Sequence, residues 1–123
     1  MARRKITTNE LAKSLSNENF ALMDARPIEA YNGWSLNNEP RGGHIKNAVT
    51  FPLKWTEYEN WEELLIEKGI TPDTQVVIYG YNDLQSESMA DKLSEMSFDN
   101  IRIYDNLMEW SENDKLPMDH LPL

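Results

Sequence analysis

The sequence predicts a single α/β domain: a doubly wound, mainly parallel five-stranded sheet with helices on both faces, in three layers. Three observations predict it. Short apolar segments alternate with amphipathic ones along the chain, as successive β-α units do. The run Gln75-Val76-Val77-Ile78-Tyr79 is β-branched and continuously apolar, as suits a parallel strand covered on both faces. Finally, 123 residues, 40% of them hydrophobic, can bury one core but cannot hold a second complete domain.

Ile6 closes a first strand. Thr7 and Glu10 then stand three apart in the capping-box arrangement, with Leu11 and Leu15 at helical spacing, which predicts a helix from about Thr8 to Ser16. Phe20-Ala21-Leu22-Met23 is the second strand, stopping at Asp24 and Arg26. Pro27 opens a helical turn through Ile28, Ala30 and Tyr31, and Asn32 to Gly43 reads as a long polar loop. Ala48 to Phe51 is the third strand. Residues Glu57 to Lys68 carry Trp61, Leu64 and Leu65 on one side and acids on the other, a helix ended by Gly69. After the turn at Pro72-Asp73 comes the strand Gln75–Tyr79, which runs into Gly80-Tyr81-Asn82-Asp83-Leu84-Gln85. Ser86 is placed to cap the next helix, whose buried face is Met89, Ala90, Leu93 and Met96. Ile101 to Tyr104 is the last strand, and a helical turn follows around Leu107, Met108 and Trp110. The domain is therefore expected over residues 1–112, with residues 113–123 as a tail resembling a linker to a second domain.

Composition removes whole classes of function. The formal charge of −9, with acids clustered at Glu57, Glu59, Glu62, Glu63 and Glu67, makes nucleic acid and anionic membranes poor partners. The acidic cluster itself reads as a solvated helix face. Zero Cys excludes disulfides, thiolate metal sites, iron–sulfur ligation and any cysteine nucleophile. No apolar run approaches the ~20 residues that cross a bilayer, and Met1-Ala2-Arg3-Arg4-Lys5 is not followed by the apolar segment of a signal peptide, so a cytoplasmic protein is expected. Neither a cofactor nor a metal is expected: His44 and Asp24 are too few for a site, and His120 lies in the tail.

Ligands of doubly wound sheets bind beyond the carboxyl ends of the strands. Three segments converge there: Asp24-Ala25-Arg26, Gly42-Gly43-His44-Ile45-Lys46-Asn47-Ala48, and Gly80 to Gln85. Asp-x-Arg alone is common by chance. Followed by Tyr31, Gly43-His44-Ile45-x-x-Ala48, the Val76-Val77-Ile78-Tyr79 strand with its loop and helix, and Trp110, it resembles the rhodanese family over roughly Ile6 to Trp110. That resemblance implies transfer of sulfane sulfur from thiosulfate or mercaptopyruvate to a thiol, through a persulfide on a cysteine that opens a six-residue loop. Backbone N–H groups and a helix N-terminus would cradle the thiolate and its persulfide.

The position that the resemblance assigns to the cysteine is Gly80, which cannot carry sulfur. The fourth and sixth loop positions are Asp83 and Gln85, where a Gly and a basic or small polar residue are usual, and Asn106-Leu107 replaces the family's glycine pair before the final Trp. A carboxylate at Asp83, if turned into the cradle, would repel an anion. Ser86 at the loop end and Tyr81 inside it carry hydroxyls, but no His in or beside the loop could activate them. His44 reads as a structural histidine bonded to backbone, and Asp24 with Arg26 as a buried or half-buried ion pair holding the sheet edge. Trp34, Trp55, Trp61 and Trp110 read as core or interface.

The chain resembles the cysteine-less N-terminal repeat of tandem sulfurtransferases. The long insert Gly33 to Gly43 and the Pro-containing tail add to that likeness. It implies a non-catalytic domain whose partner is a second rhodanese-like domain or another protein. A stand-alone module that recognises a protein or a small anion is the alternative, and a hydrolase using Ser86 a third.

Overall fold

The computed structural model describes residues 4–17 and 19–119. Five parallel strands form one sheet in the order β1-β6-β5-β2-β4: β1 (Arg4–Lys5), β2 (Phe20–Asp24), β4 (Val49–Thr50), β5 (Gln75–Tyr79) and β6 (Ile101–Tyr104). The central strand β5 pairs along its length with β2, from Phe20↔Gln75 to Asp24↔Tyr79, and with β6 from Val76↔Ile101 to Tyr79↔Tyr104. Because side chains alternate along β5, Val76 and Ile78 enter one apolar layer while Val77 and Tyr79 enter the other. The first layer holds Leu65 of α3 (Trp61–Glu67) and Met89, Ala90 and Leu93 of α4 (Asp83–Ser94). The second holds Leu11 of α1 (Thr8–Ser14) and Leu107 and Trp110 of α5 (Leu107–Glu112). This is the three-layer α/β arrangement that the sequence predicts.

Local signals account for most of the element ends. In α1 both bonds of the capping box are made: the Glu10 N–H donates to Thr7 Oγ1 at 3.1 Å, and the Thr7 N–H donates to Glu10 Oε1 at 3.0 Å. These contacts hold the Glu10 carboxyl below its ordinary range. The helix stops at Ser14, two residues short of the predicted end. The helix expected over Glu57 to Lys68 is shorter, Trp61–Glu67: Pro52 starts a separate 3-10 turn, Leu53–Glu57, and Tyr58 is extended (φ −76°, ψ 142°) before α3 begins. Gly69, at φ 82°, ends α3 with its own N–H on Ile66 O and the Ile70 N–H on Leu65 O.

Two segments are more ordered than their composition suggests. The chain beyond α5 is docked as far as Asp119: β7 (Met118–Asp119) pairs antiparallel with β3 (His44–Ile45), and both Trp110 Nε1 and the Lys46 N–H donate to Pro117 O. His120 falls outside the described residues. The polar stretch after α2 (Ile28–Asn32) is a strap with two anchors, Glu39 and Arg41. Arg41 donates through its side chain to the carbonyls of Ser111, Trp110 and Asn113, satisfying the end of α5 at 2.7–2.8 Å. Among the described residues, no helix is long and apolar enough to cross a membrane.

Candidate functional site

β2 and β5 end side by side, so the register Asp24↔Tyr79 brings the last residues of both strands together at the carboxyl edge. Tyr79 Oη donates to Asp24 Oδ2 at 2.8 Å and accepts the Ile45 N–H at 3.1 Å. Arg26 grips the same carboxylate with two side-chain bonds, Nε to Oδ1 at 2.9 Å and a terminal nitrogen to Oδ2 at 2.6 Å. The same nitrogen donates to Gly43 O at 2.6 Å, tying the Gly43-His44-Ile45 motif to the sheet. Asp24 and Arg26 are wholly buried. Burial alone would lower the Arg26 pKa, but the bonds and charge of Asp24 reverse this and raise it. The ion pair read from the sequence is thus present, with more partners than two residues could reveal.

One of those partners is Glu39, which lies on the strap, is buried, and accepts from Arg26 at 3.3 Å. Its carboxylate also receives the Tyr81 hydroxyl, and its other oxygen accepts the Asn37 N–H. The Arg26 guanidinium lies 5.0 Å from the Tyr81 ring centre and 5.4 Å from that of Tyr79. Burial, then the bond to Glu39, pushes the Tyr81 phenol up to about 12. Burial followed by the Asp24 charge raises Tyr79 as well. Sequence reasoning missed Glu39, because nothing local marks an acid in a polar segment as buried. His44 is buried, stacks on the Tyr31 ring at 3.7 Å, and donates from Nδ1 to Tyr31 O at 2.8 Å. It is bonded to backbone, as its reading as a structural histidine requires.

The segment after β5 departs from the expected six-residue loop. Only Gly80, Tyr81 and Asn82 separate the strand from α4, which already includes Asp83, Leu84 and Gln85. Ser86 is not the cap. Asn82 is, its Oδ1 accepting the Gln85 N–H at 3.0 Å, while Ser86 lies buried in the helix with its hydroxyl on the carbonyls of Asn82 and Asp83. Asp83 does not turn into a cradle either: it is exposed and meets Lys5 Nζ at 3.3 Å, which also meets Asp105 at 3.3 Å. Leu84 is 74% exposed.

Gln85 is the residue that decides the site. Its Oε1 accepts the Tyr81 N–H at 2.7 Å, so the amide that would face an anion is bonded to the chain's own carboxamide. A Cβ built on Gly80 would lie 2.7 Å from Gln85 Oε1 and 2.9 Å from Gln85 Cβ. The place for a cysteine side chain is filled. A cleft of ≈ 460 Å³ remains on the far side of Gln85, lined by Pro27, Ile28, Leu53, Lys54, Trp55 and Tyr58 among others.

A rhodanese-like domain model matches residues 7–113. The chain is 30% identical over 117 residues to thiosulfate sulfurtransferase YnjE of Escherichia coli, an alignment covering 88% of this chain and 27% of that protein. Among solved structures, wild-type EanB is 36% identical with a TM-score of 0.94, and this chain covers 28% of it. The anaerobic ergothioneine biosynthesis enzyme from Chlorobium limicola, solved with trimethyl histidine, is 35% identical with a TM-score of 0.95. Here 98% of this chain matches 29% of that one. The chain therefore spans little more than a quarter of the length of these relatives. With the family model across most of its length and the fold of those structures, this chain belongs to the rhodanese-like domain family, and it is a member without cysteine.

Proposed function

We propose that this domain is the non-catalytic half of a tandem sulfurtransferase, packed against a catalytic rhodanese-like sister that moves sulfane sulfur from thiosulfate or mercaptopyruvate to a thiol. The observation that carries this reading is the occupied position at Gly80, where Gln85 stands in the room a cysteine would need. Two further features support it. The amides of Tyr81 and Gln85 are both bonded by side chains of the same turn, which leaves neither for an anion. The buried Asp24-Arg26-Glu39 cluster, bonded to the half-buried Tyr81, holds strand ends and strap together. On this reading the vestigial loop is a structural plug, the tail of residues 113–123 leads to the second domain, and the protein works in the cytoplasm.

The natural coding sequence tests this directly. If the reading holds, it continues past Leu123 into a second rhodanese-like repeat, where a cysteine opens a six-residue loop after a Val-rich strand. A coding sequence ending at Leu123 would overturn it. A second reading, a stand-alone binding module, is favoured by the cleft beside Gln85 with Lys54 and Trp55 in its wall. Titration of the domain with thiosulfate, sulfate and phosphate, followed by Trp fluorescence, separates the two: the tandem reading predicts no saturable change.

A further inference from the structure

Three of the exposed large apolar side chains fall together, on α2 and the strap after it: Ile28, Trp34 and Leu36, at 40%, 69% and 53% exposure. The backbone that carries them is pinned by hydrogen bonds. Gly33, at φ 137°, ends α2 with its N–H on Ala30 O and the Trp34 N–H on Glu29 O, the paired closure that turns the residue after the glycine back towards the helix at Glu29 or Ile28. The Leu36 N–H then bonds Trp34 O, and Glu39 and Arg41 fix the far end of the strap to the buried network and to α5. Large apolar groups held in place before docking lose little entropy on binding, and Trp is prominent among interface anchors.

The surroundings say what kind of face this is. The cleft beside Ile28 extends it through Leu53 and Tyr58. Glu29 is exposed beside it, Lys54 lines the cleft with Lys68 against the Trp55 ring, and the whole chain carries −9. A second copy of this chain would bring like charge to the contact, whereas a partner with basic residues around an apolar pocket would not. The chain's course supplies the position. Asp119, the last of the described residues, pairs with His44, whose ring stacks on Tyr31 of α2, so this end of the described chain lies beside α2. Relatives of this domain carry more than two thirds of their length outside the matched part.

We propose that Ile28, Trp34 and Leu36 are the docking face for the next domain of the same polypeptide, which covers them with an apolar pocket ringed by basic side chains. This rests on the tandem reading above. The test uses the natural full-length polypeptide beside the 123-residue chain, with Trp34→Phe variants of both to isolate the Trp34 signal. In the short chain, sedimentation shows a monomer and acrylamide quenches Trp34 freely. In the full-length protein, quenching of that component falls several-fold, and Trp34→Asp with Leu36→Asp, checked for native circular dichroism, separates the domains and expands the particle in small-angle scattering. Equal quenching of Trp34 in both proteins overturns the proposal while leaving the tandem reading intact. A coding sequence that ends at Leu123 removes the tandem reading and this occupant with it. Dimerisation of the short chain that buries Trp34 also overturns it, since the occupant is then a second copy.

Discussion

Restoring the family's cysteine by Gly80→Cys destabilises this domain rather than reviving it. The backbone is not the obstacle, because the glycines with positive φ among the described residues are Gly33, Gly43 and Gly69, and Gly80 is not one of them. Space is the obstacle. The new Cβ meets Gln85 Oε1 at 2.7 Å and Gln85 Cβ at 2.9 Å. The carboxamide can swing away, but the Tyr81 N–H then loses its acceptor. The Cβ contact is harder to relieve, since Gln85 sits on the first turn of α4 and only a shift of that turn opens it. Overpacking and a lost hydrogen bond together cost about 2–4 kcal/mol. Gln85→Gly removes both contacts, at about 1 kcal/mol of helix propensity and about 1 kcal/mol for the Tyr81 N–H bond that goes with the carboxamide. Since the double variant loses that bond only once and has no overpacking, it should be more stable than the sum of the single changes by about 2–4 kcal/mol. Urea unfolding followed by Trp fluorescence, with m-values compared among all four proteins, reads this coupling. A Gly80→Cys protein as stable as the parent, or single changes that simply add, would refute the view that Gln85 fills the site.

Three further outcomes follow from the same geometry. Arg26→Ala leaves Asp24 and Glu39 buried without a cation and should cost about 3–5 kcal/mol in urea unfolding; a loss under about 1 kcal/mol would mean that the network is solvated. Arg41→Ala removes the side-chain cap from α5 and should cost about 2 kcal/mol while increasing hydrogen exchange at Trp110 and Asn113; unchanged exchange would deny the strap its anchoring part. The phenols of Tyr81 and Tyr104 are raised to about 12 from 10.0, chiefly by burial. A raised folded pKa contributes stability that is complete below pH 10 and lost as the pH climbs through 12. Midpoints of unfolding should thus hold flat up to pH 10 and fall between 10 and 12, with a smaller fall for Tyr81→Phe; a fall that begins well below pH 10 contradicts this.

How legible the molecule was in its sequence depends on whether the deciding interactions are local. The capping box at Thr7 and Glu10, the β-branched run of β5 and the Gly69 stop are signals contained within a few residues, and all appear where predicted. The start of α4 had a local signal too. Asn82-x-x-Gln85 is a cap followed three residues later by Gln, but the six-residue loop implied by family resemblance displaced it in favour of Ser86. The Gln85 side chain then goes one residue further back than a capping box requires, to the Tyr81 N–H. That single shift occupies the Tyr81 amide with the chain's own carboxamide. Glu39 and Arg41 could not be read at all, because an acid and a base in a polar stretch look solvated until Arg26, Tyr81 and the end of α5 arrive from distant sequence. The segment around Pro117 was likewise unreadable as docked, since its partners are Trp110 and Lys46.

On the proposed reading, this domain by itself performs no sulfur transfer. Thiocyanate formation from thiosulfate and cyanide by the purified 123-residue chain, prepared free of host sulfurtransferases, puts that to a direct test. The rate should equal the protein-free blank at every protein concentration. Thiocyanate formed well above that blank, in proportion to the protein added, would show a catalytic domain instead.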